Sequence, residues 1–405
     1  MRALTRPLSE FTDRVPDLND LAAGDGLLFV RDGAGMAGRG EAARVDADAA
    51  VELLASIDHD STVDRAQPRA VGVVPFRPGS AAELVVPSVT VVKRDDEVWV
   101  TVVDDGTRGA DEIRSVVTAA LDAPPSLPAS AMTWSIRPLV DTDTYLRAVE
   151  AARDAVRAGA LTKAVIARPI LVEADATIDV HAVLRRLKAS FGSSHRYSID
   201  GFVGASPELL VEVDGNVVRS HPLAGTAPRT GDLDNDRRLA AELLASAKNQ
   251  IEHRVVIDDV HDRLLPLSSY LDWEPEPSIV TVANVQHLGT RMEGVLSQPV
   301  PTAIDLVRLL CPTPALGGHP RDEAIALIER VEGFERGRYG GAVGWVDAHG
   351  DGTWAVAIRC AEFSADQRSA RLVAGGGIVA DSEPLAELAE TQAKFQAMLS
   401  AVVRP

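Results

Sequence analysis

Short apolar runs, alternating or continuous, dominate the first third of the chain, each bounded by glycine, proline or acidic residues. Gly26–Val30, Ala70–Pro75 and Val98–Val103 carry this strand pattern, whereas the Ala-rich stretch from Asp46 to Ile57 has helical spacing. Residues 1 to about 130 hold no chemical motif. Prolines at 124, 125 and 128 mark Asp122–Ser130 as a connector.

Beyond the connector the punctuation is sharper. Asp141-Thr142-Asp143 offers a helix N-cap, Tyr145, Val149, Ala152 and Val156 recur at helical spacing, and Gly159 stands where a C-terminal cap belongs. A strand from Ala164 to Val172 follows. Strand-like segments come next around Tyr197–Gly204 and Leu209–Val213, with Asp214-Gly215 as a hairpin turn into Val217 and Val218. Residues 232–264 form the longest helical pattern. Its apolar positions Leu239, Leu243, Ile251, Val255 and Val256 are expected to face a core, and its polar face to carry Glu252 and His253. Gly340–Asp347 and Thr353–Ala361 read as strands joined through His349-Gly350-Asp351-Gly352, and a third strand covers Ala370–Ala374. A glycine turn, Gly375–Gly377, then precedes a last helix from about Glu383 to Val402. Strands grouped by short turns, with helices between the groups, predict an α+β fold rather than a doubly wound sheet.

Composition adds class and partners. With 46% hydrophobic and 25% charged residues over 405 positions, the chain can bury a large core. Its 41 basic and 59 acidic residues leave a net charge of -18, which argues against nucleic acid or an anionic membrane surface as a partner. An anionic small molecule then needs a local cation. Cys311 and Cys360 are too few for a disulfide framework and have no short metal-ligand spacing, so they read as small buried residues of a cytoplasmic protein. The N-terminus has charges and prolines where a signal peptide needs an apolar stretch, and no apolar run is long enough to span a membrane.

Candidate chemistry is scattered. Lys163 precedes the apolar Ala-Val-Ile-Ala; a lysine amine in a desolvated cleft can serve as a base, but on position alone this is an exposed lysine at a strand start. Glu208, in Gly-Ala-Ser-Pro-Glu-Leu-Leu, follows a proline that fixes the backbone, as suits a general acid, but on position alone it is a solvated strand-end residue. Glu252 and Glu390 lie on helices distant in sequence, each with a lysine four residues away, Lys248 and Lys394. Within one helix that spacing makes a surface ion pair; across a cleft, the two glutamates could share a magnesium ion, with Glu387 holding a metal-bound water. Arg359, ending Ala-Val-Ala-Ile-Arg, offers a planar fork for a carboxylate.

Their order along the chain resembles the chorismate-utilising enzymes that make isochorismate, salicylate, anthranilate and aminodeoxychorismate. The resembling blocks are LTKAVIAR (161–168), GASPELL (204–210), PLAGTAPR (222–229), KNQIEH (248–253), VQHLGT (285–290), PTPALGGHP (312–320), RGRYGGAVGW (336–345), WAVAIRCA (354–361), and AGGGIV with ELAETQAK (374–394). They cover roughly the C-terminal two-thirds, and GVVPFRPGSAAELVVP (72–87) looks like the N-terminal part of isochorismate synthases in particular. The resemblance implies one unit over 1–405, a sandwich of large, mostly antiparallel sheets flanked by helices, with its catalytic portion in 141–402. It implies that Lys163 activates a water attacking ring carbon 2 of chorismate while Glu208 protonates the hydroxyl leaving carbon 4. It assigns magnesium to Glu252 and Glu390, supported by Glu387 and Lys394. It places Arg359, Tyr339 and the backbone at Gly375 on the enolpyruvyl carboxylate, with Gly225, Thr226, His287, Ala315, Leu316 and Ile358 lining the site.

Branch-specific residues narrow the expectation. Amine-adding relatives lack a lysine at the water-activating position, and aminodeoxychorismate synthases carry a lysine where this chain has Ala224, so hydroxylation is favoured. Salicylate synthases tend to read Thr-Ala before their small pair, whereas this chain reads Ala315-Leu316-Gly317-Gly318, the isochorismate pattern. Asn249 replaces an acidic residue common in the family, which implies weaker magnesium binding, and Gly376 stands where alanine is common. Isochorismate synthase is therefore the leading expectation, acting as a monomer without an amidotransferase subunit. Salicylate synthase is the second, and a non-catalytic chorismate sensor the third.

Overall fold

The computed structural model describes residues 1–122, 133–283 and 285–403, so the core of the proline-rich connector lies outside the described residues. Its largest sheet runs in the order 134–138, 163–174, 369–378, 360–363, 202–206, 195–199, 27–31, 34–39, 89–94, 97–104, 2–7 and 58–61, and the short Gly318–His319 strand pairs with Lys163–Ala164. All its pairings are antiparallel except Arg2–Pro7 with Asp58–Ser61. A second antiparallel sheet runs 268–273, 292–296, 217–221, 209–214, 352–356, 342–347, 69–74, 83–86 and 43–46. Strands from before the connector thus pair with strands from after it, Leu28 with Ser198 and Gly72 with Gly344. The α+β expectation of large antiparallel sheets with flanking helices holds.

Alternation along strands explains the layers. Phe29, Met36, Tyr197 and Phe202 of the large sheet face Val71, Leu210, Val343 and Trp354 of the second, building the main core between them. Leu28, Val30 and Val203 point the other way and are covered by helices through Leu184, Phe395 and Met398. Strands buried on both faces read as continuous apolar runs, which is why they were legible in the sequence.

The Asp141 cap, the Gly159 stop and both hairpin turns form where expected; Asp141 accepts the N–H of Thr144, and Gly159 and Gly215 have φ of 75° and 63°. Both cysteines are buried and unpaired. Several elements differ. The segment 46–57 is a 3-10 turn at Ala47–Ala49 followed by a short helix, Ala50–Ala55. Tyr197–Gly204 belongs to two strands folded at Asp200-Gly201, both at positive φ. The pattern 232–264 is two helices, Leu233–Ala245 and Ala247–Leu264, broken where Ser246 turns extended and caps the second through Asn249. This break rotates the expected faces: Ile251 is 64% exposed, Val255 is only partly buried, and His253, expected on the polar face, is buried and bonded to Thr290. Finally, Thr353–Ala361 is not one strand. Gly352–Val356 lies in the second sheet and Cys360–Phe363 in the first.

Candidate active site

Two chain crossings build one end of the cleft. The chain leaves the large sheet at Ser206 and enters the second at Leu209, which puts Glu208 in the corner between the sheets, 3% exposed. It returns between Val356 and Cys360, which puts Arg359 in the neighbouring corner at φ 52°, a left-handed conformation that costs a non-glycine residue about 1 kcal/mol or more. Local contacts hold it there: the Tyr197 hydroxyl donates to Ile358 O at 3.0 Å and Ala205 N–H donates to Arg359 O at 3.0 Å.

Lys163 opens the strand Lys163–Ala174, whose even residues Ala164 and Ile166 pack under helices while Lys163 and Val165 face the cleft. Its side chain is 2% exposed and its amine pairs with Glu252 at 2.8 Å, so neither an exposed lysine nor a Glu252–Lys248 surface pair is what forms. Glu387, Glu390 and Lys394 stand one turn apart on the last helix, Pro384–Val402. Lys394 pairs with Glu390 at 2.6 Å and donates to Gly375 O at 2.8 Å.

The glycines Gly375–Gly377 are not a turn. They complete the strand Ser369–Ile378, paired with Lys163–Ala174, and form the cleft floor. A methyl at Gly376 would lie 2.8 Å from Glu387 Oε2, and one at Gly377 would lie 2.5 Å from Glu252 Oε1 and 2.8 Å from Lys163 Cε. Glycine is required there by the approach of charged side chains to the strand. Gly377→Ala should keep the fold, because the clashing atoms are side-chain ends, but displace Lys163 and Glu252; on chorismate, the substrate the resemblance implies, a turnover loss of roughly 100-fold is expected from steady-state assays.

The cavity in this cleft measures about 200 Å³ and is lined by fifteen residues named above: Lys163, Glu208, Gly225, Thr226, Glu252, His287, Ala315, Leu316, Tyr339, Ile358, Arg359, Gly375, Glu387, Glu390 and Lys394. Val165, Pro207, Leu223, Ala224, Lys248, Asn249 and Gly377 also line it. Of these, Val165 and Leu223 had a findable signal, since each alternates with a chosen neighbour along its strand. Asn249 lies beside Gly225 and donates to Ser246 Oγ at 2.9 Å.

Burial and charge set the protonation states. Burial pushes Glu208 up to about 8, against the opposing pull of the Leu223 N–H and the Lys163 and Arg359 cations, so its carboxyl is a proton donor at neutral pH. Burial, with Arg359 adding to it, brings His287 down to about 3, leaving a neutral ring. Its neighbours fix the tautomer: Nδ1 lies 3.0 Å from Gly225 O and must donate, so Nε2 accepts from Arg359 Nη2 at 3.2 Å. Burial and the nearby Glu390 push Glu387 up, and its Oε2 is buried with no hydrogen-bond partner. Burial opposes ionisation of Glu390, but the Lys394 pair outweighs it and holds Glu390 low.

The orphaned Glu387 oxygen marks a carboxylate group short of positive charge. An all-oxygen set from Glu252, Glu387 and Glu390 suits a hard divalent cation. Among the described residues, these three carboxylates do not converge within 4.8 Å of one another; Asp347, His349 and Asp351, on a hairpin turn, are the trio that does. Cations gather in the cleft despite the overall negative charge: Lys163, Lys248, Arg359 and Lys394 all line it. Among the described residues, no helix is long and apolar enough to cross a membrane.

Comparison with known proteins agrees with this geometry. The profile of the chorismate binding enzymes matches residues 54–403. Isochorismate synthase DhbC of Bacillus subtilis is 37% identical over 84% of this chain and 81% of that protein. A putative isochorismate synthase MenF of Mycobacterium tuberculosis is 45% identical over 64% of this chain and 73% of that protein. The solved structure of MenF, the menaquinone-specific isochorismate synthase of Escherichia coli, superposes with a TM-score of 0.85 at 25% identity, covering 99% of this chain and 94% of that one. A cleft assembled at the sheet crossings, within a profile match spanning most of the chain, shows that this protein belongs to the chorismate binding enzyme family.

Proposed function

We infer that the protein is an isochorismate synthase, an isomerase that converts chorismate to isochorismate. The observation that carries the reading is a buried Glu208 and a buried Lys163 on one small cavity that also holds Arg359, in a chain similar to isochorismate synthases over most of its length. In this mechanism Lys163 acts as the neutral amine, its ammonium proton having first left to solvent, and takes a proton from a water that bonds to ring carbon 2. The ring double bond shifts, and the bond from carbon 4 to its hydroxyl breaks as Glu208 delivers a proton, so one water enters and one leaves. Arg359, held by neutral His287, receives the enolpyruvyl carboxylate beside Tyr339 and the Gly375 backbone, with Gly225, Thr226, Ala315, Leu316 and Ile358 enclosing the ring.

Magnesium is the proposed cofactor. Glu252 and Glu390 would hold it, Glu387 would hold one of its waters and Lys394 would support that group. When bound, it supplies positive charge that neutralises and orients the ring carboxylate. Glu252 pairs with Lys163 in this structure, so a cation held there would compete with the amine for one carboxylate. The proposed setting is a cytoplasmic monomer, a single catalytic unit acting on free chorismate without an amidotransferase subunit. Its product would supply menaquinone or a siderophore.

The test is to incubate the purified protein with chorismate and magnesium and to separate products by chromatography. Isochorismate is expected, with loss of turnover in a chelator and recovery on adding magnesium. Salicylate and pyruvate as main products would replace this reading with salicylate synthase, and an inert protein that binds chorismate would replace it with a sensor.

A further inference from the structure

Behind the cavity wall lies a buried ion pair that the mechanism does not use. Glu332 ends the helix Arg321–Val331 and Arg336 follows it; both are buried, 3% and 4% exposed. The guanidinium donates through Nε to Glu332 Oε2 at 2.9 Å, through Nη1 to Leu316 O at 2.7 Å and through Nη2 to Val165 O at 2.7 Å. Glu332 Oε1 in turn accepts the N–H of Ala167 at 2.7 Å. One face of the guanidinium lies 4.2 Å from the ring centre of Phe76, whose own N–H donates to Gly337 O at 3.0 Å.

A buried ion pair adds little stability over apolar residues of the same volume, so packing alone does not account for it. What an apolar pair cannot do is tie two separate backbone segments through directed donors. The Lys163 strand already pairs with Gly318–His319, and Val165 N–H donates to Gly317 O at 2.8 Å; Arg336 adds side-chain donors to this junction by holding Leu316 O and Val165 O together, and the side chains of both residues line the cavity. A lysine has the charge but not the planar fork that reaches both carbonyls at once. Phe76 belongs to the 72–87 segment, so that segment reaches the cleft through the Arg336 face.

We propose that Arg336 and Glu332, backed by Phe76, are positioning residues that fix where Leu316 stands against the Lys163 strand, and so determine how tightly chorismate is held. This rests on the function proposed above. The experiment measures chorismate KM, which does not depend on how much enzyme is folded, alongside melting temperature. Arg336→Lys and the apolar pair Arg336→Met with Glu332→Leu should each raise KM at least fivefold, the double variant melting within a few degrees of wild type. A wild-type KM in either variant overturns the proposal. Should both fail to fold, Phe76→Leu, which keeps the ion pair and removes the ring face, decides by the same measurement: a KM raised twofold or more supports it and an unchanged KM overturns it. A wild type inert on chorismate counts against the proposed function, whereas a working wild type with variants at its own KM counts against the positioning pair alone.

Discussion

Glu208→Gln should lower turnover by roughly a hundred- to ten-thousand-fold, the range for loss of a positioned acid, while making the protein more stable at alkaline pH. Both effects come from one carboxyl. Burial holds it protonated to about 8, so it can donate at neutral pH, and wild-type turnover should fall as pH rises through that value. The stability sign follows from linkage. The folded pKa of Glu208 is raised above its ordinary 4.5, so below 4.5 the group is protonated in both states and folding is undisturbed. Between 4.5 and about 8 the unfolded chain ionises and the folded chain does not, so wild-type stability drains away by about 1.4 kcal/mol per pH unit. Glutamine removes that slope. Denaturant titrations of wild type and variant from pH 4 to 9 check it, and parallel curves would remove Glu208 as a buried acid.

Lys163→Met should also cost about a hundred- to ten-thousand-fold in turnover, but here stability should fall as well. The amine is the partner of Glu252 at 2.8 Å, with side-chain exposures of 2% and 13%, and removing it strands a largely buried carboxylate. Breaking such a pair from one side costs about 3 kcal/mol. Adding Glu252→Gln removes the stranded charge, so the double variant should regain melting temperature without regaining turnover. Product chromatography and thermal melts together separate the two roles. A Lys163→Met protein that turns over normally would sink the proposed base.

The candidate residues were legible because their blocks resemble those of the chorismate-utilising enzymes; on position alone Lys163 and Glu208 read as solvent-facing. What periodicity misjudged has physical causes. Residues 232–264 kept a helical rhythm across Ser246, because apolar spacing does not register a single extended residue that ends one helix and caps the next. Residues 353–361 read as one strand because both halves are apolar, although the chain changes sheets between them. Gly375–Gly377 read as a turn because glycine weakens a strand pattern; here it makes room for Glu252, Glu387 and Lys163 against the cleft floor.

By itself the sequence determined the class of fold, the strands buried on both faces, and the caps and hairpin turns, while its resemblance to the chorismate-utilising enzymes supplied the set of residues to test. These depend on local periods and on side-chain chemistry, which a linear chain displays directly. Only the tertiary structure decided that Lys163 meets Glu252, that Glu208 is sealed in a corner between sheets and keeps its proton, and that Arg336 ties two walls together. Those properties arise from desolvation and from contacts between segments up to hundreds of residues apart, and neither exists until the two sheets close on each other.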